Sequence, residues 1–254
     1  MSESGGLYVH LLPAWMPAGA VRGGLAVVID VLRATSVIAT ALRHGCEAVI
    51  PCQEIDEARA VAARLPEGAC LLGGERGGLR IEGFDLGNSP SEYSEARCRG
   101  RTLVLTTTNG TRAVRACLEA REVFAAGFVN LAATAQRLRQ LWRARPGEAI
   151  HLVCAGTDGE PSLEDTLLAG ALALTLSHRG DSAIPLQNDA ARLAAAAAPR
   201  AYAQLPSLLA EGLGGRNLKA LGLEDDIQTA ARVDSMPIVA VLRPGEPSAA
   251  FRVG

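Results

Sequence analysis

Asp30-Val-Leu-Arg33 sets a carboxylate three residues ahead of a guanidinium, directly after the apolar run Leu25-Ala-Val-Val-Ile29. A carboxylate at such a place can ligate a metal ion or act as a nucleophile, with the arginine clamping an anion beside it. Its plainer use is to cap the next helix. Further on, Glu75 and Arg76 stand between paired glycines in Gly73-Gly-Glu-Arg-Gly-Gly78, and a polar loop then carries Asp85 and Asn88. Glycines let a backbone approach a ligand closely. Thr107, Thr108, Asn109, Gly110 and Thr111 offer hydroxyls and backbone N–H groups where a helix is predicted to start. Helix starts attract phosphate, although Asn-Gly is also an ordinary turn. Gly156 lies in the loop 155–161, and Glu164 with Asp165 opens another helix. Acidic residues suit a helix dipole there, and adjacent carboxylates near an anion pocket equally suit Mg²⁺.

These residues need a scaffold that brings them together. Short apolar runs predict strands over 7–12, 25–29, 47–50, 69–72, 102–106, 123–125, 149–154 and 237–242. Between them, apolar spacing or start signals predict helices over 35–44, 55–65, 90–96, 111–120, 131–142 and 162–177, and 189–221 reads as helices only. Continuous apolar strands are covered on both faces, and strand–helix alternation predicts a three-layer α/β/α fold with a largely parallel, or mixed, sheet. No repeat or linker divides the chain, so residues 1–254 read as a single domain with a tail over 243–254 expected to be mobile. Asp30, the Glu75-Arg76 pair, 106–111 and 154–158 all follow the C-terminal ends of predicted strands, where open α/β sheets bind ligands.

Composition removes several function classes. Apolar residues make up 48 % and aromatics 4 %, so Ala, Leu and Val must fill the core. A net charge of −2 leaves no footprint for nucleic acid or an anionic membrane. No apolar run approaches a membrane span, and Met1 to Gly6 shows no signal-peptide pattern, which predicts a soluble, cytoplasmic protein. A homo-oligomer stays open. The six cysteines at 46, 52, 70, 98, 117 and 154 contain no Cys-x-x-Cys pair. Cys70 and Arg76 do have the Cys-x₅-Arg spacing of thiol phosphatases, against which Cys70 reads as a buried strand residue.

Several of these segments together resemble the 2-phosphosulfolactate phosphatase (ComB) family: Val28-Ile-Asp-Val-Leu-Arg-Ala-Thr35, Gly73 to Gly78, Gly83-Phe-Asp-Leu-Gly-Asn-Ser-Pro90, Thr106 to Thr111, Cys154-Ala-Gly156 and Ser162-Leu-Glu-Asp-Thr166. The acidic stretch 223–227 and Asp234 are similar too. The resemblance implies a three-layer α/β fold and, as its activity, a hydrolase: a Mg²⁺-dependent phosphatase that converts the small anionic substrate (2R)-2-phospho-3-sulfolactate to (2R)-3-sulfolactate and phosphate in coenzyme M biosynthesis or related sulfonate metabolism.

Rate arithmetic agrees with a metal. Accelerations near 10²¹ for phosphate monoesters amount to roughly 29 kcal/mol. One oxyanion donor contributes only about 3–4 kcal/mol, so a threonine loop alone falls short. The expected site therefore has Asp30, with Glu164 or Asp165, holding Mg²⁺, and Arg33 and Arg76 gripping phosphate or sulfonate oxygens. Thr107 to Thr111, Asn88 and Gly156 would cradle the substrate, and Glu75 or Asp85 would position water or protonate the leaving oxygen. A metal-independent thiol phosphatase using Cys70 and Arg76, or a non-catalytic anion-binding protein, are the other readings.

Overall fold

A computed structural model describes residues 5–178, 183–245 and 249–254. The leader reading of residues 1–6 rests mainly on 1–4, which lie outside the described residues, as do 246–248 of the tail.

The strands are β1 (Gly6–His10), β2 (Leu25–Ile29), β3 (Ala48–Cys52), β4 (Cys70–Arg76), β5 (Leu79–Arg80), β6 (Thr102–Thr106), β7 (Glu122–Ala126), β8 (Ala149–Cys154), β9 (Ala240–Leu242) and β10 (Arg252–Val253). The helices are α1 (Ala34–Arg43), α2 (Ile55–Ala62), α3 (Glu95–Cys98), α4 (Gly110–Ala116), α5 (Leu131–Ala144), α6 (Leu163–Ser177), α7 (Asp189–Ala197), α8 (Leu205–Glu211), α9 (Leu213–Ala220) and α10 (Glu224–Ala230). The architecture is α/β with helices on both faces of mostly parallel sheets, as the alternation predicted. The predicted single sheet is divided in two, in the orders β1-β8-β2-β7-β9-β10 and β3-β6-β4-β5. Phe251 joins them through paired backbone hydrogen bonds with Val49, 2.8 and 2.9 Å long. The end of the tail expected to be mobile is thus tied down, because Phe251 is fully buried between the sheets' edges.

Alternation along β2 explains the layers. Leu25, Val27 and Ile29 face a core built with Leu138 of α5 and Leu168 and Leu172 of α6. Ala26 and Val28 face the opposite way, onto Val37 and Ala41 of α1 and Ala113 and Val114 of α4. Leu103 and Leu105 of β6 join that second core, whereas Val104 packs with Ala58 of α2 on the far side. Helices α1 and α4 therefore lie between the two sheets and hold the strand ends of one against those of the other. Other departures are local. Strand β4 continues to Arg76, so Glu75 and Arg76 are strand residues and not loop residues. A 3-10 turn at Pro90–Glu92 precedes the short α3, and α10 follows the segment predicted as helical. Among the described residues no helix is long and apolar enough to cross a membrane.

Candidate active site

Loops from both sheets meet in a cleft of about 360 Å³, a size suited to a small ligand. Asp30, Leu32 and Arg33 follow β2, Thr107 to Asn109 follow β6, and Thr157 and Asp158 follow β8. Glu75 comes from the end of β4, Asn88 from the loop beside it, and α9 closes the cleft with Gly214, Asn217 and Leu218, joined by Leu221 just past its end. The start of α4 packs tightly on the turn after β2: an added Cβ at Gly110 would stand 2.5 Å from Ala34 Cβ and 2.7 Å from Asp30 Oδ2.

Asp30 is held by its own local sequence. Its Oδ1 accepts from Ala34 N at 3.1 Å, and the Thr35 hydroxyl donates to its carbonyl at 2.8 Å. The helix-capping role is therefore real, and it leaves the carboxylate buried on the cleft wall, 7 % exposed. Burial pushes its pKa up to about 7, helped by the charges of Asp165 and Glu75 and opposed by the Ala34 N–H and Arg33. Burial likewise raises Glu164 and Asp165, each pushed further by a carboxylate neighbour. Asp165 spends its oxygens on Val31 N at 2.9 Å and Gly156 N at 3.1 Å, so it ties the β8 loop to the residue after Asp30. Glu164 projects toward Gly212 and Gly214, and its buried Oε2 has no hydrogen-bond partner.

The remaining predicted residues divide into those that line the cleft and those that brace it. Thr107, Thr108, Asn109 and Asn88 line it, and both Thr108 Oγ1 and Asn88 Oδ1 are buried there without a partner. Thr111 is a brace, accepting nothing from the cleft and donating its hydroxyl to Thr107 O at 2.8 Å. Glu75 lines the cleft, yet its oxygens accept from Thr108 N at 2.7 Å and Gly78 N at 2.8 Å. That occupation makes it a fastener for the threonine loop. Gly156 turns its N–H to Asp165, away from the cleft wall.

Three expectations are corrected by geometry. Arg76 points away from the cleft and ties strand ends together, donating to Gln53 O at 2.9 Å and Thr106 Oγ1 at 3.0 Å. Asp85 is exposed and accepts from Leu72 N at 2.8 Å. The loop carrying it runs parallel to β4, pairing Leu86 with Gly73, so Asn88 reaches the strand's end while Asp85 lags behind. The Cys-x₅-Arg pattern is spread along β4, which separates Cys70 from Arg76 by roughly 20 Å at 3.3 Å per residue. Burial and Asp85 raise the Cys70 thiol, so no thiolate nucleophile faces Arg76. Cys154 is fully buried with its pKa raised well above the usual thiol value by burial.

Sequence reasoning missed two features. Asp226 of α10 bonds to Arg33, Nη1 to Oδ2 at 2.7 Å, and also accepts from the Ser89 hydroxyl. Asp226 lies in the acidic stretch 223–227 that shares in the resemblance, but acidic residues look the same in sequence whether they serve a helix start or a partner, so the sequence assigns it no role. Helix α9 was read only as part of a helical segment; its packing over the strand ends is a tertiary fact. Asp234, similar by sequence, accepts from Ala132 N at 2.7 Å at the start of α5.

The charge balance of the cleft bears on a metal. Among the described lining residues Asp30, Glu75 and Asp158 are acidic, and Arg33 is the basic one, already matched by Asp226. A hard divalent cation suits these oxygen donors: the carboxylates repel one another, and Glu164, which is not a lining residue but abuts the lining's Gly214 and feels the charge of Asp30, keeps its buried Oε2 orphaned. Among the described residues no three His, Cys, Asp or Glu side chains converge as a ligand group. Mg²⁺ commonly takes one or two carboxylates and completes its shell with water and substrate oxygens. Asp30 and Glu164 are the two suited to hold it, with Asp165 as their support.

A family model described as 2-phosphosulpholactate phosphatase matches residues 11–245. A Symbiobacterium thermophilum protein named as a probable 2-phosphosulfolactate phosphatase is 40 % identical over 231 residues, covering 91 % of this chain and 96 % of the relative. A Deinococcus radiodurans protein of the same name is 40 % identical over 231 residues, 90 % of this chain and 92 % of its own length. Another, from a Synechococcus strain, is 42 % identical over 217 residues, 84 % and 87 % of the two chains.

Proposed function

This chain belongs to the 2-phosphosulpholactate phosphatase family, and we propose that its cleft hydrolyses (2R)-2-phospho-3-sulfolactate to (2R)-3-sulfolactate and phosphate with Mg²⁺. The observation that carries the reading is Asp30, a buried carboxylate of raised proton affinity set against the Thr107–Asn109 loop. The substrate bears phosphate, carboxylate and sulfonate, and it would enter a cleft whose lining carboxylates outnumber its one arginine. That mismatch supports the Mg²⁺ requirement, because like charges in a water-poor site repel strongly.

Asp30 and Glu164 are the residues that would hold Mg²⁺, and the ion would supply charge neutralisation for the phosphoryl group. The chain's own groups do the rest. Thr108 Oγ1 has no partner in the protein and can donate its proton to a substrate oxygen, and the Asn88 amide, whose Oδ1 is likewise unpartnered, can turn its NH2 toward the substrate. Glu75 keeps Thr108 and Gly78 in place by accepting their N–H groups, and Arg33 contributes its guanidinium to the anion. Asp30 is the carboxylate we assign to the reacting phosphorus, as base for water or as nucleophile. A hydroxylamine-sensitive phosphoenzyme trapped in a single turnover selects the nucleophile; quench-flow without one selects water.

Phosphate release from racemic 2-phosphosulfolactate, with Mg²⁺ and with EDTA, beside a panel of ordinary phosphate monoesters, tests the whole reading. Mg²⁺-dependent release favouring phosphosulfolactate is expected. Equal release in EDTA would remove the metal, and tight substrate binding with no release would leave an anion-binding protein. A role in coenzyme M or related sulfonate metabolism belongs to the same proposal, and deletion of the gene should then raise phosphosulfolactate in the host.

A further inference from the structure

Asp226 is absent from the cleft wall, yet it grips residues on two of the loops that form the wall. Its Oδ2 accepts from Arg33 Nη1 at 2.7 Å, and its Oδ1 accepts from the Ser89 hydroxyl. Arg33 Nη2 donates to Gly78 O at 2.7 Å, so the guanidinium is pinned from two sides. The side chains of Arg33 and Asp226 are only 4 % and 3 % exposed. Ser89 also shares a hydrogen bond with Ser91 at 2.8 Å, and it directly follows Asn88, whose buried Oδ1 has no partner.

A buried ion pair is weak support for stability, because well-packed apolar residues often do as well or better. Here the pair joins residues 193 positions apart and fixes the direction of the cleft's arginine. Bidentate or oriented guanidinium contacts depend on such fixing. We propose that Asp226 is a positioning residue for phosphoryl transfer: it aims Arg33 at the phosphoryl site and, through Ser89, sets the Asn88 loop beside it. This inference rests on the phosphatase reading above. Its effect should fall on the transition state more than on ground-state binding, since misaimed groups still attract an anion but no longer match the reacting geometry.

The test uses the full chain and the variants Asp226→Asn, Asp226→Glu, Ser89→Ala, Arg33→Ala and the double variant Arg33→Ala/Asp226→Asn. Asp226→Asn is expected to lower kcat on phosphosulfolactate at least tenfold with KM changed less than threefold, and Asp226→Glu to regain part of the loss. The double variant should be as slow as Arg33→Ala alone while melting higher, because it no longer buries an unpaired carboxylate. Losses that multiply in the double variant would overturn a role through Arg33. Normal kcat in Asp226→Asn with only a lower Tm would reduce the residue to a structural brace. Should Asp226→Asn fail to fold, Ser89→Ala removes one hydroxyl and is expected to lower kcat severalfold at unchanged Tm; wild-type kcat would sink the Asn88 arm. Inorganic vanadate, which adopts a five-coordinate geometry, supplies a readout that needs no turnover. About tenfold weaker vanadate binding by Asp226→Asn is expected, and equal affinity overturns the inference. A wild-type protein that releases no phosphate would defeat the phosphatase reading, while the vanadate titration would still decide on Asp226.

Discussion

Asp30 carries an electrostatic load that its immediate neighbours relieve only in part. The Ala34 N–H and Arg33 favour its charge, whereas burial, Asp165 and Glu75 oppose it. Asp30→Asn keeps an oxygen for the Ala34 N–H and removes the repelled charge. Turnover should fall by on the order of 10³-fold or more, while the metal-free Tm stays level or rises. An active Asp30→Asn enzyme would take Asp30 out of the chemistry, and a large drop in Tm would make it a structural cap alone. Arg76 shows the opposite pattern. It has sequence neighbours as suggestive as those of Arg33, but its guanidinium serves the carbonyls of Glu75 and Gln53. Arg76→Ala should cost about 1–2 kcal/mol of stability by urea titration and leave KM within about twofold. A KM rise beyond tenfold at normal stability would return Arg76 to the site. The sequence placed both arginines near strand ends; only the side-chain directions separate anchor from ligand group, and a one-dimensional pattern has no access to those.

At the scale of elements, what was legible followed from burial on both faces. Strand β2 is a continuous apolar run that stops at Asp30, β6 holds three apolar residues between Thr102 and Thr106, and β8 is apolar but for His151 and Cys154 and begins after Glu148. Strands β5 and β10 have two residues each, too few for any period to show. Helix α9 was the costliest omission for the site. Its glycines read as helix-weakening, since glycine lies about 1 kcal/mol below alanine in a helix interior. They have a spatial reason instead: an added Cβ at Gly212 or Gly214 would collide with the Glu164 carboxylate. Gly214→Ala therefore sets propensity against the site. The substitution should leave the metal-free Tm level or raise it, yet weaken the Mg²⁺ concentration dependence of activity about tenfold as Glu164 is pushed aside. Unchanged Mg²⁺ dependence would show that Glu164 does not contribute a ligand. The same logic explains why Glu164 and Asp165, adjacent in sequence, divide into one carboxylate beside α9 and one that holds Val31 and Gly156.

Across the whole molecule, two buried titrating groups pull stability in opposite directions with pH. His10 and His151 lie 3.0 Å apart between β1 and β8, and burial lowers both to about 4. Because the folded state resists their protonation, their contribution is complete above 6.5 and is lost as pH falls from 6.5 toward 4. The carboxylates of Asp30, Glu164 and Asp165 act the other way. The fold holds protons on them up to about 7, against 3.8 for aspartate and 4.5 for glutamate when unfolded. Stability from this trio is complete below about 4 and is lost progressively as pH rises from there through 7. Between pH 6.5 and 8 the histidines are already neutral, so only the carboxylates change. In EDTA the Tm should fall by several degrees across that window. Mg²⁺ at the trio would compensate the ionised carboxylates, so saturating Mg²⁺ should flatten the slope and raise Tm most at pH 8. Asp30→Asn should flatten it without metal. A Tm that is level in EDTA from pH 6.5 to 8, or that Mg²⁺ leaves untouched, would show that the cleft's acidic groups are neutralised by protein contacts alone and that the cation has no site among them.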